Sequence, residues 1–335
     1  CRLDASAGAA LHAAKPGKTG MARKFDRVPE LSLRAFTHGS PRERRDFIDA
    51  LMEGFQYFGF IILKDHAVSR DLLSRSYEMS RAFFALPVEE KRRFLTGPDG
   101  QRGYTPFGKE HAKTSRVGDL KEFWHVGREF PPSSPLARTY PLNVWPERPT
   151  AFRETFLALY DALEDAGFAM LEALAPSLSV PDDYFRKMAT NGNSILRLLH
   201  YPPVPPDADP GAVRAAAHED INLITILVAA EGGGLELLDR DGKWLAVDTD
   251  PDNLIVDAGD MLARVTNDVI PATTHRVVNP KGPNVSRYSM PFFMHPHSEA
   301  VLDCIPSCKG AGAKYPPITA DAFLKQRLKE IGLAG

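Results

Sequence analysis

The chain is poor in the features that mark several common classes of protein. Only three cysteines, Cys1, Cys304 and Cys308, occur in 335 residues. A set so sparse and odd in number argues against a disulfide framework and for a reducing compartment, the cytoplasm. Cys304-x-x-x-Cys308 would need a second Cys pair to close a Cys-type structural zinc site, and the sequence has none. No apolar run approaches the roughly 18 residues that suggest a membrane span. Neither sign of charge dominates, since 41 Lys and Arg against 43 Asp and Glu leave a net charge of −2. That excludes a broad basic field for nucleic acid. There is no internal repeat, and low complexity is confined to the Ala/Gly/Lys-rich residues 1–20, which read as a disordered leader or tag-like tail before Met21. The expected partner is therefore a small molecule, with the chain a monomer or weak homo-oligomer.

What is present divides by texture. Residues 21–145 read as an N-terminal α/β region. Phe47, Ile48, Leu51, Met52 and Phe55 recur at helical spacing between Pro41 and Tyr57. Gly59 ends that helix, Phe60-Ile61-Ile62-Leu63 reads as a short buried strand, and Ser69 can cap a following helix. Residues 99–130 read as an irregular loop with scattered aromatics. In residues 146–305, a long amphipathic helix over 149–178 carries Phe152, Phe156, Leu159 and Leu163 on its stripe. After it come short apolar runs separated by turn residues: 195–201, 221–229, 234–238, 243–247, 253–256, 261–265, 274–278 and 286–294. About eight strands at that spacing predict a jelly roll. Residues 306–335 form a helical extension. The fold class expected is mainly β with flanking helices.

Within the β region, Ala217-His218-Glu219-Asp220 opens an apolar run. On an extended strand His218 and Asp220 would point to the same face, two legs of a metal site. His275, 55 residues after Asp220, can supply the third. Two imidazoles and one carboxylate leave positions open on the metal, as in non-heme Fe(II) oxygenases. His297-Ser298-Glu299 has similar spacing but no later histidine to complete it, so it and His295 read as structural or surface residues. Arg287-Tyr288-Ser289 places a guanidinium and a hydroxyl on one strand face, a receiver for a buried carboxylate.

Together His218-x-Asp220, His275 and Arg287-x-Ser289 resemble the Fe(II)/2-oxoglutarate-dependent dioxygenases of the isopenicillin N synthase-like family. Arg102-Gly103-Tyr104, Tyr201-Pro202-Pro203, Gly259-Asp260 and Thr266-Asn267 extend the resemblance across residues 25–300. It implies a double-stranded β-helix holding Fe(II) on His218, Asp220 and His275. It also implies 2-oxoglutarate as co-substrate, its far carboxylate on Arg287 and Ser289 with a hydroxyl from Tyr201. O2 would be the oxidant and ascorbate a reductant. Leu199 departs from the Asn that plant-type members often carry. The reaction implied is oxidative decarboxylation of 2-oxoglutarate to succinate and CO2, coupled to hydroxylation, desaturation or cyclisation of a small metabolite. Alternatives are an oxidase like isopenicillin N synthase, independent of 2-oxoglutarate, or a catalytically silent binding protein on the same fold. Arg102, Tyr104, Phe107, Trp124 and Phe293 are the expected substrate-pocket lining. The cations Arg102, Lys109, Lys113, Arg116 and Lys121 suggest an anionic or amphipathic metabolite.

Overall fold

The computed structural model describes residues 27–96, 101–110 and 118–330. The expected N-terminal tail, Lys113 and Arg116 lie outside those residues. The front of the chain runs β1 (Glu30–Ser32), α1 (Leu33–Thr37), α2 (Pro41–Tyr57), β2 (Phe60–Lys64), α3 (Arg70–Phe84) and α4 (Val88–Arg92). Ser40 and Glu43 close a capping box on α2, with Pro41 in its first turn. Gly59, at φ +66°, reverses the chain into β2 where an added side chain would strike Thr273. Ser69 caps α3 by accepting from the Leu72 N–H at 3.2 Å.

The middle supplies β3 (Gly103–Thr105), β4 (Glu122–Gly127), α5 (Phe152–Leu174) and α6 (Tyr184–Ala189). The back supplies β5 (Ile195–Tyr201), β6 (Ala215–His218), β7 (Ile224–Glu231), β8 (Leu235–Leu238), β9 (Trp244–Ala246) and β10 (Leu254–Ala258). Then come α7 (Asp260–Val265), β11 (His275–Val277), β12 (Arg287–Met294), β13 (Val301–Leu302), β14 (Ile318–Thr319) and α8 (Ala320–Glu330).

Among the described residues the strands form an eight-stranded sheet, β1-β2-β10-β7-β12-β5-β4-β3, facing a four-stranded sheet, β6-β11-β8-β9, with β13-β14 as a separate pair. This is the expected jelly-roll core with flanking helices. Strand alternation divides the core in two. One face of the large sheet (Trp124, Val126, Leu196, Leu198, Ile226, Val256, Met290, Phe292) packs on α2, α3 and α5. The other (Phe60, Phe123, Leu199, Tyr201, Leu227, Ile255) packs on Leu235, Leu237, Val247 and Val277, on or flanking the small sheet. Everything on this second face looks into the space between the sheets.

Three expectations change. Residues 99–130 are not simply loop, because they contain β3 and β4. All six residues of β4 are buried, so it lacks the alternation that exposes a strand in sequence. The run 261–265 is α7, a helix too short for its apolar run to be told from a strand. The run 221–229 is extended only from Ile224.

Trp124 is fully buried against Phe83, Phe94 and Phe152. Trp124→Ala is therefore expected to cost about 3–5 kcal/mol of stability. The urea-unfolding midpoint, at constant slope, measures it; a change in substrate KM without loss of stability would put the indole in the pocket instead.

Candidate active site

The small sheet joins the two expected histidine ligands. His275 opens β11 and pairs across strands with His218, the last residue of β6. Their ring centroids are 4.4 Å apart. Asp220, expected on the same strand face as His218, is not on a strand at all: β6 ends at His218, and Asp220 lies in the connection to β7. The start of α7 bends that connection inward. Asp260 N–H donates to Asp220 O at 2.7 Å, Met261 N–H to Asn222 O at 3.0 Å, and Gly259 N–H to Leu223 O at 2.9 Å. Gly259 is needed for this approach, since an added Cβ would lie 2.3 Å from Asn222 O. Asp220 Oδ1 then stands 3.7 Å from His218 Nε2 and 3.8 Å from His275 Nε2. One donor atom from each of the three residues lies within 4.8 Å of the others.

Each of these side chains is oriented by a second bond. Backbone carbonyls only accept, so His218 donates Nδ1–H to Ala216 O (2.8 Å) and His275 to Thr273 O (3.1 Å). Both Nε2 lone pairs are left for a metal. Thr225 Oγ1 donates to Asp220 Oδ2, and Asn222 Nδ2 donates to Thr225 Oγ1 at 2.9 Å. Burial, reinforced by His275, pushes the His218 pKa down to about 4, keeping the ring in the neutral, metal-binding form. Across β10 from Thr225, burial and then the charge of Asp220 raise the Asp257 carboxyl well above the usual range. Two imidazole nitrogens and a carboxylate suit Fe(II) with open positions. The fourth protein donor of a closed zinc site is absent from this cluster among the described residues.

Thr225→Val keeps shape but removes the bond to Asp220. Metal affinity is expected to fall about 10–100-fold, read by Fe(II) titration under anaerobic conditions; unchanged affinity would mean Asp220 needs no such support.

The expected carboxylate receiver lies farther along the same interior. Arg287 and Ser289 share the inner face of β12, each 2% exposed. Arg287 pairs with Tyr201 of β5, its guanidinium carbon 5.0 Å from that ring. Nε donates to the Gly232 and Gly233 carbonyls at 3.3 and 3.2 Å. Nη1 is buried without a partner among the described residues, costly for a cation unless a ligand supplies the acceptor. Beside it a cavity of about 230 Å³ runs between the sheets, lined by Leu227, Leu235, Val247 and Ile255. An anionic ligand end fits this site.

The expected pocket lining is largely misplaced. Tyr104 and Trp124 face the helices, and the Tyr104 hydroxyl donates to Glu122. Arg102, 1% exposed, donates to the Pro141 and Gln101 carbonyls at 3.1 and 2.7 Å. Phe107 is 41% exposed. Phe293 does share the inner face with Arg287 and Ser289. The alternation of β4 turns Phe123 and His125 inward in place of Trp124.

Also missed was Arg197, on the inner face of β5. Its guanidinium carbon lies 4.3 Å from the Phe123 ring centroid and 5.2 Å from that of Phe293. It donates Nε–H to His125 Nε2 at 2.6 Å and Nη1–H to the Glu110 carboxylate at 3.1 and 3.3 Å. Lys121 Nζ bonds the same carboxylate at 2.8 Å and Asp119 at 2.7 Å. Asp119 Oδ1 accepts from Ala216 N–H at 3.1 Å, and the Ala216 carbonyl is the one that orients His218. The available signal was a charged residue inside the apolar run Ile195–Tyr201, the same cue that singled out Arg287. His295, read as structural or surface, is buried, and burial lowers its pKa to about 4.

Comparison with known proteins bears on the same residues. The family model of the 2OG-Fe(II) oxygenase superfamily matches residues 192–296, and that of the non-haem dioxygenase in morphine synthesis N-terminal region matches 28–148. The chain belongs to the 2OG-Fe(II) oxygenase superfamily. A 2-oxoglutarate-Fe(II) type oxidoreductase, hxnY of Emericella nidulans, is 32% identical over 90% of this chain and 89% of its own. A 2OG-Fe(II) oxygenase family protein from Caulobacter crescentus is 42% identical, covering 91% of this chain and 99% of the other, at TM-score 0.82. A full-length Neurospora crassa protein, solved in complex with alpha-KG and thymine, is 30% identical at TM-score 0.80, covering 90% and 96%. The oxygenase is thus an oxidoreductase that uses Fe(II), 2-oxoglutarate and O2 to oxygenate a small molecule. Among the described residues no helix is long and apolar enough to cross a membrane.

Proposed function

We propose that His218, Asp220 and His275 hold the iron of this oxygenase, and that Arg287, with Ser289 and Tyr201, takes the far carboxylate of 2-oxoglutarate. The observation that carries this is the convergence of the three donors, together with a buried Arg287 Nη1 that has no partner among the described residues, on the inner face of β12. Iron bound there supplies the redox chemistry that couples O2 to decarboxylation of the keto acid and oxidation of a substrate C–H bond. The chain's own contribution is orientation and exclusion of water. Thr225 fixes one Asp220 oxygen so that the other faces the histidines. The Gly232 and Gly233 carbonyls hold the Arg287 fork in place. Leu227, Leu235, Val247 and Ile255 line one part of the co-substrate cavity, and Arg287 with Thr249 and Asp248 gives it a polar part.

The near-zero net charge supports action without a nucleic-acid partner, and the few cysteines support a cytoplasmic setting. A monomer or weak homo-oligomer is proposed. The test is O2-dependent formation of succinate from 2-oxoglutarate by the Fe(II)-loaded protein with ascorbate. Fe(II) binding without any decarboxylation of the keto acid would overturn this reading in favour of an oxidase that places its substrate on iron.

A further inference from the structure

Four charged side chains are buried together inside the jelly roll: Glu110, Asp119, Lys121 and Arg197, with side-chain exposures of 12, 6, 7 and 17%. Burying ion pairs costs desolvation that apolar residues would avoid, so stability alone gives little reason to keep them. Their location suggests another. Phe293, against Arg197, pairs across strands with Thr225, whose hydroxyl holds Asp220. Asp119 reaches His218 through Ala216. The cluster therefore forms a wall of the same chamber as the proposed metal ligands.

Its charges cancel. Lys121 and Arg197 are matched by Glu110 and Asp119, and Arg102 offers no substitute, being committed to backbone carbonyls. Burial alone would raise the Glu110 carboxyl, but Arg197 and Lys121 outweigh it and hold the group well below the usual carboxylate range, ionised. An incoming carboxylate would meet no net attraction and would lie beside Glu110. A neutral ligand pays no such penalty. Arg197 Nη2 makes no hydrogen bond to a described residue, while Nε and Nη1 are occupied. Its guanidinium is flanked by the Phe123 and Phe293 rings. A donor between aromatic faces suits a carbonyl oxygen on a flat molecule.

We propose that the substrate of this oxygenase is a neutral, planar compound bearing a ring carbonyl or carboxamide, set against Phe293 with its oxygen on Arg197, and that Glu110 turns anions away. This rests on the reading of the metal and co-substrate site given above.

Matched probes test it: uracil against orotate and benzamide against benzoate, titrated calorimetrically into the Fe(II)- and 2-oxoglutarate-loaded protein without oxygen. The neutral member of each pair is expected to bind roughly tenfold or more tighter. Glu110→Gln should move that ratio towards the carboxylate by about tenfold, because it leaves a net positive wall. Arg197→Met keeps bulk against the two rings but removes the donor, and should weaken the neutral probes by about tenfold. Equal or tighter carboxylate binding, no saturable binding of either neutral probe, or an unmoved ratio in folded Glu110→Gln overturns the proposal. Should that variant fail to fold, unchanged neutral binding by Arg197→Met does so. Affinity for 2-oxoglutarate is measured separately in each protein. If it is intact while discrimination is absent, this inference fails and the co-substrate reading stands; if the parent itself does not bind 2-oxoglutarate, the earlier reading is the one that fails.

Discussion

Removing any one of His218, Asp220 or His275 is expected to abolish turnover, with Fe(II) affinity falling by more than the about 100-fold that loss of an outer-shell partner can cost. Each residue gives one donor atom, and the three atoms sit within 4.8 Å of one another. Two remaining donors cannot hold a divalent ion against water in a site built for three. The variants His218→Ala, His275→Ala and Asp220→Asn should separate binding from folding. The His218 side chain keeps 39% of its surface exposed, so truncating it removes little packing. Asp220→Asn keeps the side chain's shape and leaves an oxygen to accept from Thr225, so it removes the anionic donor with little change in packing. Iron content after anaerobic loading, succinate release and the melting temperature without metal are the measurements. Unchanged turnover in any one variant would refute the ligand assignment for that residue.

Arg287→Ala is expected to raise KM for 2-oxoglutarate far more than it lowers kcat, because the guanidinium grips the end of the keto acid remote from the reacting carbon. Truncating one partner of a buried hydrogen-bonded charge pair costs about 2–5 kcal/mol. That corresponds to roughly 30-fold to several-thousand-fold in KM, at about 1.4 kcal/mol per factor of ten. Arg287→Lys should recover only part of the loss. A lysine brings the charge but not the planar fork whose Nε already serves Gly232 and Gly233 while Nη1 awaits an acceptor. Steady-state kinetics in 2-oxoglutarate, with a denaturation midpoint for each variant, distinguish binding from folding. A KM within roughly twofold of the parent in folded Arg287→Ala would assign the carboxylate to another residue.

The two predictions differ in how their residues could be found. Arg287 and Ser289 were legible because alternation along one strand is a local rule, and β12 obeys it from Arg287 to Met294. The cap of α3 at Ser69 was legible because a serine just before a helical run is also a local signal, whereas the Ser40 capping box on α2 emerged only from the structure. The site's metal-binding residue types were legible too, but the geometry imagined for Asp220 was not the one the chain uses. Two residues apart on a strand and two residues apart across a strand end look identical in sequence. Only the hydrogen bonds from α7, some forty residues later, turn Asp220 towards the histidines.

The substrate side shows the limit more sharply. Trp124 and Phe123 are neighbours in a strand buried on both faces, so nothing in the residue pattern says which one looks inward. Lys121 reads as a free cation until Glu110 and Asp119 are found against it. By itself, then, the sequence determined the jelly-roll class, the two histidines and carboxylate, and the Arg-x-Ser face, all written in short-range periodicity and residue chemistry. The tertiary structure alone decided how Asp220 reaches the two histidines, which aromatics of β4 face inward and that Glu110, Asp119, Lys121 and Arg197 pair with one another. Those outcomes depend on long-range contacts between segments, and burial on both sides of a sheet erases the amphipathic pattern that would have announced them.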